Sequence, residues 1–170
     1  TKWREKMSSE VRRQGIFQHE WLEMKARANE LGIELIGDLP IFISHHSADV
    51  WANPELFQLD KNGLPTVVAG VPPDYFSETG QKWNTVLYNW TEHEKTDWLW
   101  WKERMARMLR LFDIVRIDHF RGFHSAWAVP READNGIIGK WQDAPKEMII
   151  KALVDVAGDE SKIIAEDLGI

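Results

Sequence analysis

Cysteine is absent from the 170 residues, which removes disulfide frameworks, thiolate nucleophiles and Cys-ligated zinc or iron–sulfur clusters from the available chemistry. Long hydrophobic runs are absent too. No apolar stretch approaches the roughly 18 residues of a spanning helix, and the opening Thr1-Lys2-Trp3-Arg4-Glu5 has no charged-then-apolar signal pattern. No membrane partner is expected, and because Thr rather than Met opens the chain, a leader ahead of it stays an open question. Basic residues are outnumbered 21 to 27, for a formal net charge of −6. A nucleic-acid binder needs a clustered basic face, so no nucleic acid is expected either. Neither GxGxxG nor GxxxxGK[ST] occurs, which moves nucleotide chemistry down the order of readings. What remains is 44% apolar and 28% charged, the balance of a globular chain large enough for one core. Ten tryptophans stand out. They suit either a bulky core or a pocket with flat apolar walls and polar tips.

Apolar positions Phe17, Trp21, Met24, Ala28 and Leu31 step along one face of a helix from Ser8 to Leu31, and Gly32 follows as a stop. Ile33 to Ile43 is β-branched and apolar, as in a buried parallel strand ending near Asp38 to Pro40. Residues 44–95 keep no sustained period and carry Asn53-Pro54, Asn62-Gly63, Val71-Pro72-Pro73 and Thr79-Gly80. So long a connection reads as an irregular lid or binding insertion. A helix is expected from a Thr96 cap to Leu111, with Trp98, Trp101, Met105 and Phe112 inward. Asp113 to Asp118 then reads as a buried strand, and Phe120 to Gln142 as an aromatic and glycine-rich loop. A third helix starts near Asp143 and Pro145, turns Ile149, Leu153 and Val156 inward and stops at Gly158, and Lys162 to Glu166 forms the last strand. Alternating helix and strand imply an α/β protein with parallel strands and right-handed crossovers.

Each of these strands ends in a carboxylate: Asp38, Asp118 and Glu166. Carboxyl ends of parallel strands are where α/β folds build their sites. Alternation puts Arg116 and Asp118 on one face of a strand, so the guanidinium can keep Asp118 ionised, as a nucleophile must be. Glu166 follows Ile163-Ile164-Ala165, an apolar setting that would raise a carboxyl toward the range of a general acid. Two such acids, roughly 5 to 5.5 Å apart, are the equipment of a retaining glycosidase. The alternative is structural: Asp and Arg on one strand can be only an ion pair, and strand-end acids can cap helices.

The segments Arg116-Ile117-Asp118-His119-Phe120-Arg121-Gly122-Phe123, Ala165-Glu166-Asp167-Leu168-Gly169 and Val68 to Gln81 with its Pro72-Pro73-Asp74-Tyr75-Phe76 resemble the hallmark segments of the 4-α-glucanotransferases, the amylomaltase or disproportionating-enzyme family. Gly37-Asp38-Leu39-Pro40-Ile41 and Ser47 to Pro54 fit the same family, and the likeness runs from Phe17 onward in the family's order. The resemblance implies a (β/α)8 barrel related to the α-amylase clan, acting on α-1,4-glucans or malto-oligosaccharides without a cofactor or a metal. It implies Asp118 as nucleophile and Glu166 as acid/base, with Arg116 orienting Asp118 and with His119 and Asp38 binding sugar hydroxyls. It further implies a lid from Gly70 to Trp83, with Tyr75 and Phe76 over the acceptor and Asp74, Gln81 and Trp83 nearby.

Two departures stand against the family pattern. Trp83-Asn84-Thr85-Val86 replaces the usual Trp-Gly-Asn-Pro, and His46 stands where many members have Asp, although a His-Ser-Ala-Asp version resembles the plant-type branch. A complete barrel takes about 250 residues. The resemblance supplies only its three central strands, and the family's third catalytic Asp has no counterpart. Residues 1–170 are therefore expected to be a fragment of one catalytic barrel domain, inactive alone, from a bacterial cytoplasm or a plastid.

His45, His46 and His93 lack a ligand pattern, since adjacent His residues in an extended segment point opposite ways. Asn89-Trp90-Thr91 is a chance glycosylation match, and Trp98, Trp100 and Trp101 read as helix core rather than sugar platforms. The competing functional readings are a hydrolase of the α-amylase clan and a non-catalytic maltodextrin-binding piece.

Overall fold

The first helix, α1 (Lys2–Glu30), starts six residues before the expected Ser8, because nothing in Lys2 to Met7 breaks a helix. A computed structural model describes residues 2–168. Gly32 ends the run with a φ of +75°, a conformation that costs glycine little. The inward face is narrower than its spacing implies: Phe17, Met24 and Leu31 are exposed. Trp21 does the docking, donating from Nε1 to the Leu111 carbonyl at 2.8 Å and meeting Phe112 edge-on at 5.4 Å. Lys25 donates to the Phe112 carbonyl at 2.8 Å and pairs with Asp113 at 3.2 Å.

Strand β1 is Ile36–Pro40, shorter than the Ile33–Ile43 run, and only its Gly37 and Leu39 are buried. Gly37 is small for a packing reason: a Cβ there would lie 2.5 Å from Cγ of Phe112. The stretch 44–95 is not irregular throughout. It contains α2 (Ala48–Ala52), β2 (Val67–Val71), β3 (Gln81–Val86) and α3 (Trp90–Lys95). Helix α4 spans Leu99–Leu111, so Thr96 does not cap its start; its hydroxyl donates instead to the His93 carbonyl at the end of α3. Asp97 and Trp98 turn the chain between the helices in left-handed conformations. β4 (Ile114–Asp118) follows.

The expected Phe120–Gln142 loop also holds strands, β5 (Ser125–Pro130) and β6 (Lys140–Asp143). Helix α5 (Glu147–Ala157) starts later than Asp143, buries Ile149 and Leu153 with Val156 only half-buried, and ends at Gly158. β7 is Ile163–Ala165.

Two sheets result. One is parallel, ordered β1-β4-β7, with Asp38 beside Arg116, Pro40 beside Asp118 and Ile117 beside Ala165. The other is antiparallel, ordered β3-β2-β5-β6, and draws on both stretches that read as loops. In β4, Val115 and Ile117 are fully buried in a core with Met105 of α4 and Ile149 and Leu153 of α5. Alternation then sends Arg116 and Asp118 to the other face of the strand. The helices fix one side of the parallel sheet, and the charged side chains project from the opposite one.

Candidate active site

Arg116 is the centre of the site. Its Nη1 donates to Asp38 Oδ1 at 2.5 Å, and its Nη2 donates to Asp118 Oδ1 at 3.0 Å and to Glu166 Oε1. One guanidinium thus joins the acids of all three parallel strands. Ladder register explains the convergence: Asp38 and Arg116 are direct neighbours, while Glu166 comes one residue after Ala165, the neighbour of Ile117. The hydrogen bond to Asp38, followed by the bond to Asp118 and the charges of Asp38 and Glu166, holds the Arg116 pKa above its ordinary value against the effect of burial. Asp38 and Asp118 stay open to solvent, whereas the Glu166 side chain is only 12% exposed.

The apolar setting expected around Glu166 is not the one observed. Its Oε1 takes the guanidinium and its Oε2 accepts the His119 backbone N–H at 2.6 Å. Strand-end position, rather than the apolar Ile163-Ile164 run, decides its surroundings.

The His119 ring lies edge-on to Trp83 at 4.8 Å and is tilted against Phe42 at 5.9 Å. Burial, then the charge of Arg121, holds the imidazole below its ordinary pKa, with Glu166 and Asp118 opposing. Trp83 is anchored in turn, its Nε1 donating to Gln81 Oε1 at 2.9 Å. Phe42 is a site neighbour that sequence reasoning missed, since nothing distinguishes it within the apolar run Ile41-Phe42-Ile43.

Asp74, Tyr75 and Phe76 lie apart from this group, at the turn between β2 and β3. Asp74 Oδ1 accepts the backbone N–H groups of Phe76 at 2.9 Å and Ser77 at 2.7 Å. Tyr75 and Phe76 form an edge-to-face pair at 5.8 Å and are 97% and 91% exposed. The hairpin therefore presents both rings to solvent rather than to the acids.

A cavity of about 460 Å³ opens beside Asp38, lined by Pro40, Asp49, Trp100, Glu103 and Arg104. Arg104 lies over the rings of Trp100 and Trp101 and donates to the Pro40 carbonyl at 2.7 Å, bracing the end of β1. The core reading holds for Trp98 and Trp101, which are buried, while Trp100 is half-buried and reaches Asp49. Among the described residues no cluster of His, Cys, Asp and Glu could hold a metal ion. His45 and His46 do not point apart: their rings lie 4.9 Å from one another, and His45 Nε2 contacts the Gly63 carbonyl. No helix among the described residues is long and apolar enough to cross a membrane.

A family model described as 4-alpha-glucanotransferase matches residues 1–170. The chain belongs to the 4-alpha-glucanotransferase family. It is 49% identical over 157 residues to a 4-alpha-glucanotransferase of Thermus thermophilus, covering 92% of this chain and 31% of the relative. It is 50% identical over 157 residues to the rice (Oryza sativa) 4-alpha-glucanotransferase DPE1, chloroplastic/amyloplastic, covering 92% of this chain and 26% of that protein. Its α/β fold is similar to an amylomaltase of Streptococcus agalactiae solved in complex with acarbose, with a TM-score of 0.87, 41% identity, and coverage of 92% of this chain and 32% of that one. The chain thus spans between about a quarter and a third of the length of these family members.

Membership also gives meaning to Asn84, which replaces the glycine of the family's usual motif. Asn84 has a φ of +58° within β3, close to the register shift between Val68 and Gly70. Apart from glycine, asparagine is among the residues that enter this region most readily. Asn84 thus meets the left-handed φ at this point of β3, next to the Trp83 that lies against His119.

Proposed function

We propose that this segment carries the central machinery of a 4-α-glucanotransferase that moves part of an α-1,4-glucan to glucose or another glucan. The observation that carries the reading is the single guanidinium of Arg116 shared by Asp38, Asp118 and Glu166. Asp118 attacks the anomeric carbon of the donor, the bond to the leaving oxygen breaks, and Glu166 gives that oxygen its proton. Glu166 then takes the proton from an acceptor 4-hydroxyl, whose oxygen displaces Asp118. Two inversions amount to retention. Arg116 aims Asp118 through its hydrogen bond, and Asp38 and His119 bind hydroxyls of the cleaved sugar. Trp83, Gln81, Asp74, Tyr75 and Phe76 belong to a lid over the acceptor side. Excluding water there favours transfer over hydrolysis. The acarbose held by the Streptococcus agalactiae relative supports an α-glucan as the ligand class.

On this reading residues 1–170 are part of one (β/α)8 barrel, with 44–95 as its lid-bearing insertion, working without a cofactor in a bacterial cytoplasm or a plastid stroma. The isolated chain has little activity, because β1 and β7 are edge strands of the parallel sheet. The test is incubation with maltotriose of the protein at the length of its relatives, and of the 170-residue chain beside it. Transfer predicts both glucose and oligomers longer than the substrate from the longer protein. Only shorter products would make it a hydrolase, and unchanged but bound maltotriose a binding module. Disproportionation by the 170-residue chain alone would overturn the partial-barrel reading.

A further inference from the structure

His119 makes a main-chain contact separate from those of its ring. It follows Asp118 directly and adopts φ +54° and ψ +46°, the left-handed region that is uncommon outside glycine. At this strand end the Glu166 N–H continues the ladder by donating to the Ile117 carbonyl at 3.2 Å. The His119 N–H leaves the ladder and donates to Glu166 Oε2 at 2.6 Å, while Arg116 takes Oε1. Both oxygens of Glu166 are thereby held, one by a cation and one by a fixed backbone dipole.

The ring supports this backbone turn. It is wedged between Trp83 and Phe42, and the His119 carbonyl accepts the Gly122 N–H at 2.9 Å. Gly122 leaves room beneath: a Cβ there would come within 2.8 Å of Ile41 Cδ1 and 3.3 Å of His119 Cδ2. The aromatic slot offsets the cost of a left-handed histidine. Glycine would take the same conformation without strain but would fill no slot.

We infer that His119 is a positioning residue for Glu166: its left-handed backbone aims an N–H that fixes the carboxyl for proton transfer to the leaving oxygen. The inference rests on the proposal that Glu166 is the acid/base. It separates two roles of one residue, hydroxyl binding by the ring and carboxyl orientation by the main chain.

The test compares His119→Gly with His119→Val in the protein at the length of its relatives. Both remove the ring, and only the β-branched valine resists the left-handed region. With maltotriose, His119→Val should show a kcat about tenfold below His119→Gly at similar KM. With maltosyl fluoride, whose leaving group needs no proton, and azide as an acceptor that needs no base, the two variants should converge. Equal kcat on maltotriose, or a gap that persists with the fluoride, would overturn the inference. A second measurement needs neither turnover nor a folded valine variant: the His119 amide proton should resonate downfield and move upfield in Glu166→Gln. An amide unmoved by Glu166→Gln would also overturn it. A wild type that leaves maltotriose untouched while the amide responds would instead reject the transferase reading, and with it the role in proton transfer, while retaining the contact.

Discussion

The acid cluster around Arg116 and the aromatic block around Tyr88 adjoin through the end of β1 and share almost no physics. In the first, carboxylates from three strands meet one cation, and two of the three remain open to solvent. In the second, Tyr88 is 1% exposed and meets Trp90 at 4.8 Å, Trp101 at 5.1 Å, His93 at 5.3 Å and Phe57 at 5.5 Å. The phenol donates to the Ile41 carbonyl at 2.5 Å, three residues beyond Asp38, and burial pushes its pKa up. Exposed ion pairs contribute little to stability, whereas buried aromatic area contributes much. The cluster is therefore free to serve chemistry, and the block carries the stability that keeps its strands in register.

The largest test of that division is Asp118→Asn. In the protein at the length of its relatives it should lower transfer from maltotriose by about three orders of magnitude or more and leave the melting temperature nearly unchanged. A large loss of stability would break the contrast. Trp101→Ala should do the reverse to the block, costing about 3–5 kcal/mol in urea unfolding, because Trp101 is fully buried. An unchanged midpoint would count against its structural role.

His93 sharpens the same side. Fully buried, it has its pKa lowered by burial to about 4, with its bond to the Leu56 carbonyl opposing. A base with a depressed folded pKa leaves the unfolded chain binding more protons, so stability is full above about pH 6.5 and falls as the pH drops toward 4. The loss should be on the order of 3 kcal/mol, and His93→Gln should flatten it in thermal melts taken from pH 7 to pH 4. Equal slopes in both proteins would contradict the assignment. The smallest effect belongs to the hairpin tip. Tyr75→Ala and Phe76→Ala should each stay within about 0.5 kcal/mol of wild-type stability while raising the KM for the acceptor, and a KM unchanged in both would remove the tip from the lid.

The parallel sheet was legible in sequence because its signals are local. Asp118 and Glu166 each follow an apolar strand residue at a strand end, and the period of two alone puts Arg116 beside Asp118. Asp38 stands in the middle of β1 rather than at its end and reaches the cluster through its pairing with Arg116. The antiparallel sheet was not. β2 is five residues long and pairs Val67 with Pro130, so no short window contains both partners, and intervening turn signals made the stretch read as loop. The setting of Glu166 departs from the sequence expectation for a related reason: its preceding residues are apolar, but its oxygens meet Arg116 of β4 and the backbone of His119 just past the end of that strand. Register, more than chain neighbours, decides what a strand's last side chain touches.

The central claim is that Asp118 forms the covalent bond to the donor sugar and Glu166 moves the proton. The most direct measurement is peptide mass mapping of a Glu166→Gln variant, made at the length of its relatives and incubated with maltotriosyl fluoride, which can load the enzyme without an acid but lacks the base to release it. The account predicts a glycosyl adduct on the peptide carrying Asp118, lost in the Asp118→Asn double variant. An adduct on Asp38 or elsewhere, or steady transfer by the Glu166→Gln variant with no adduct on Asp118, would contradict it.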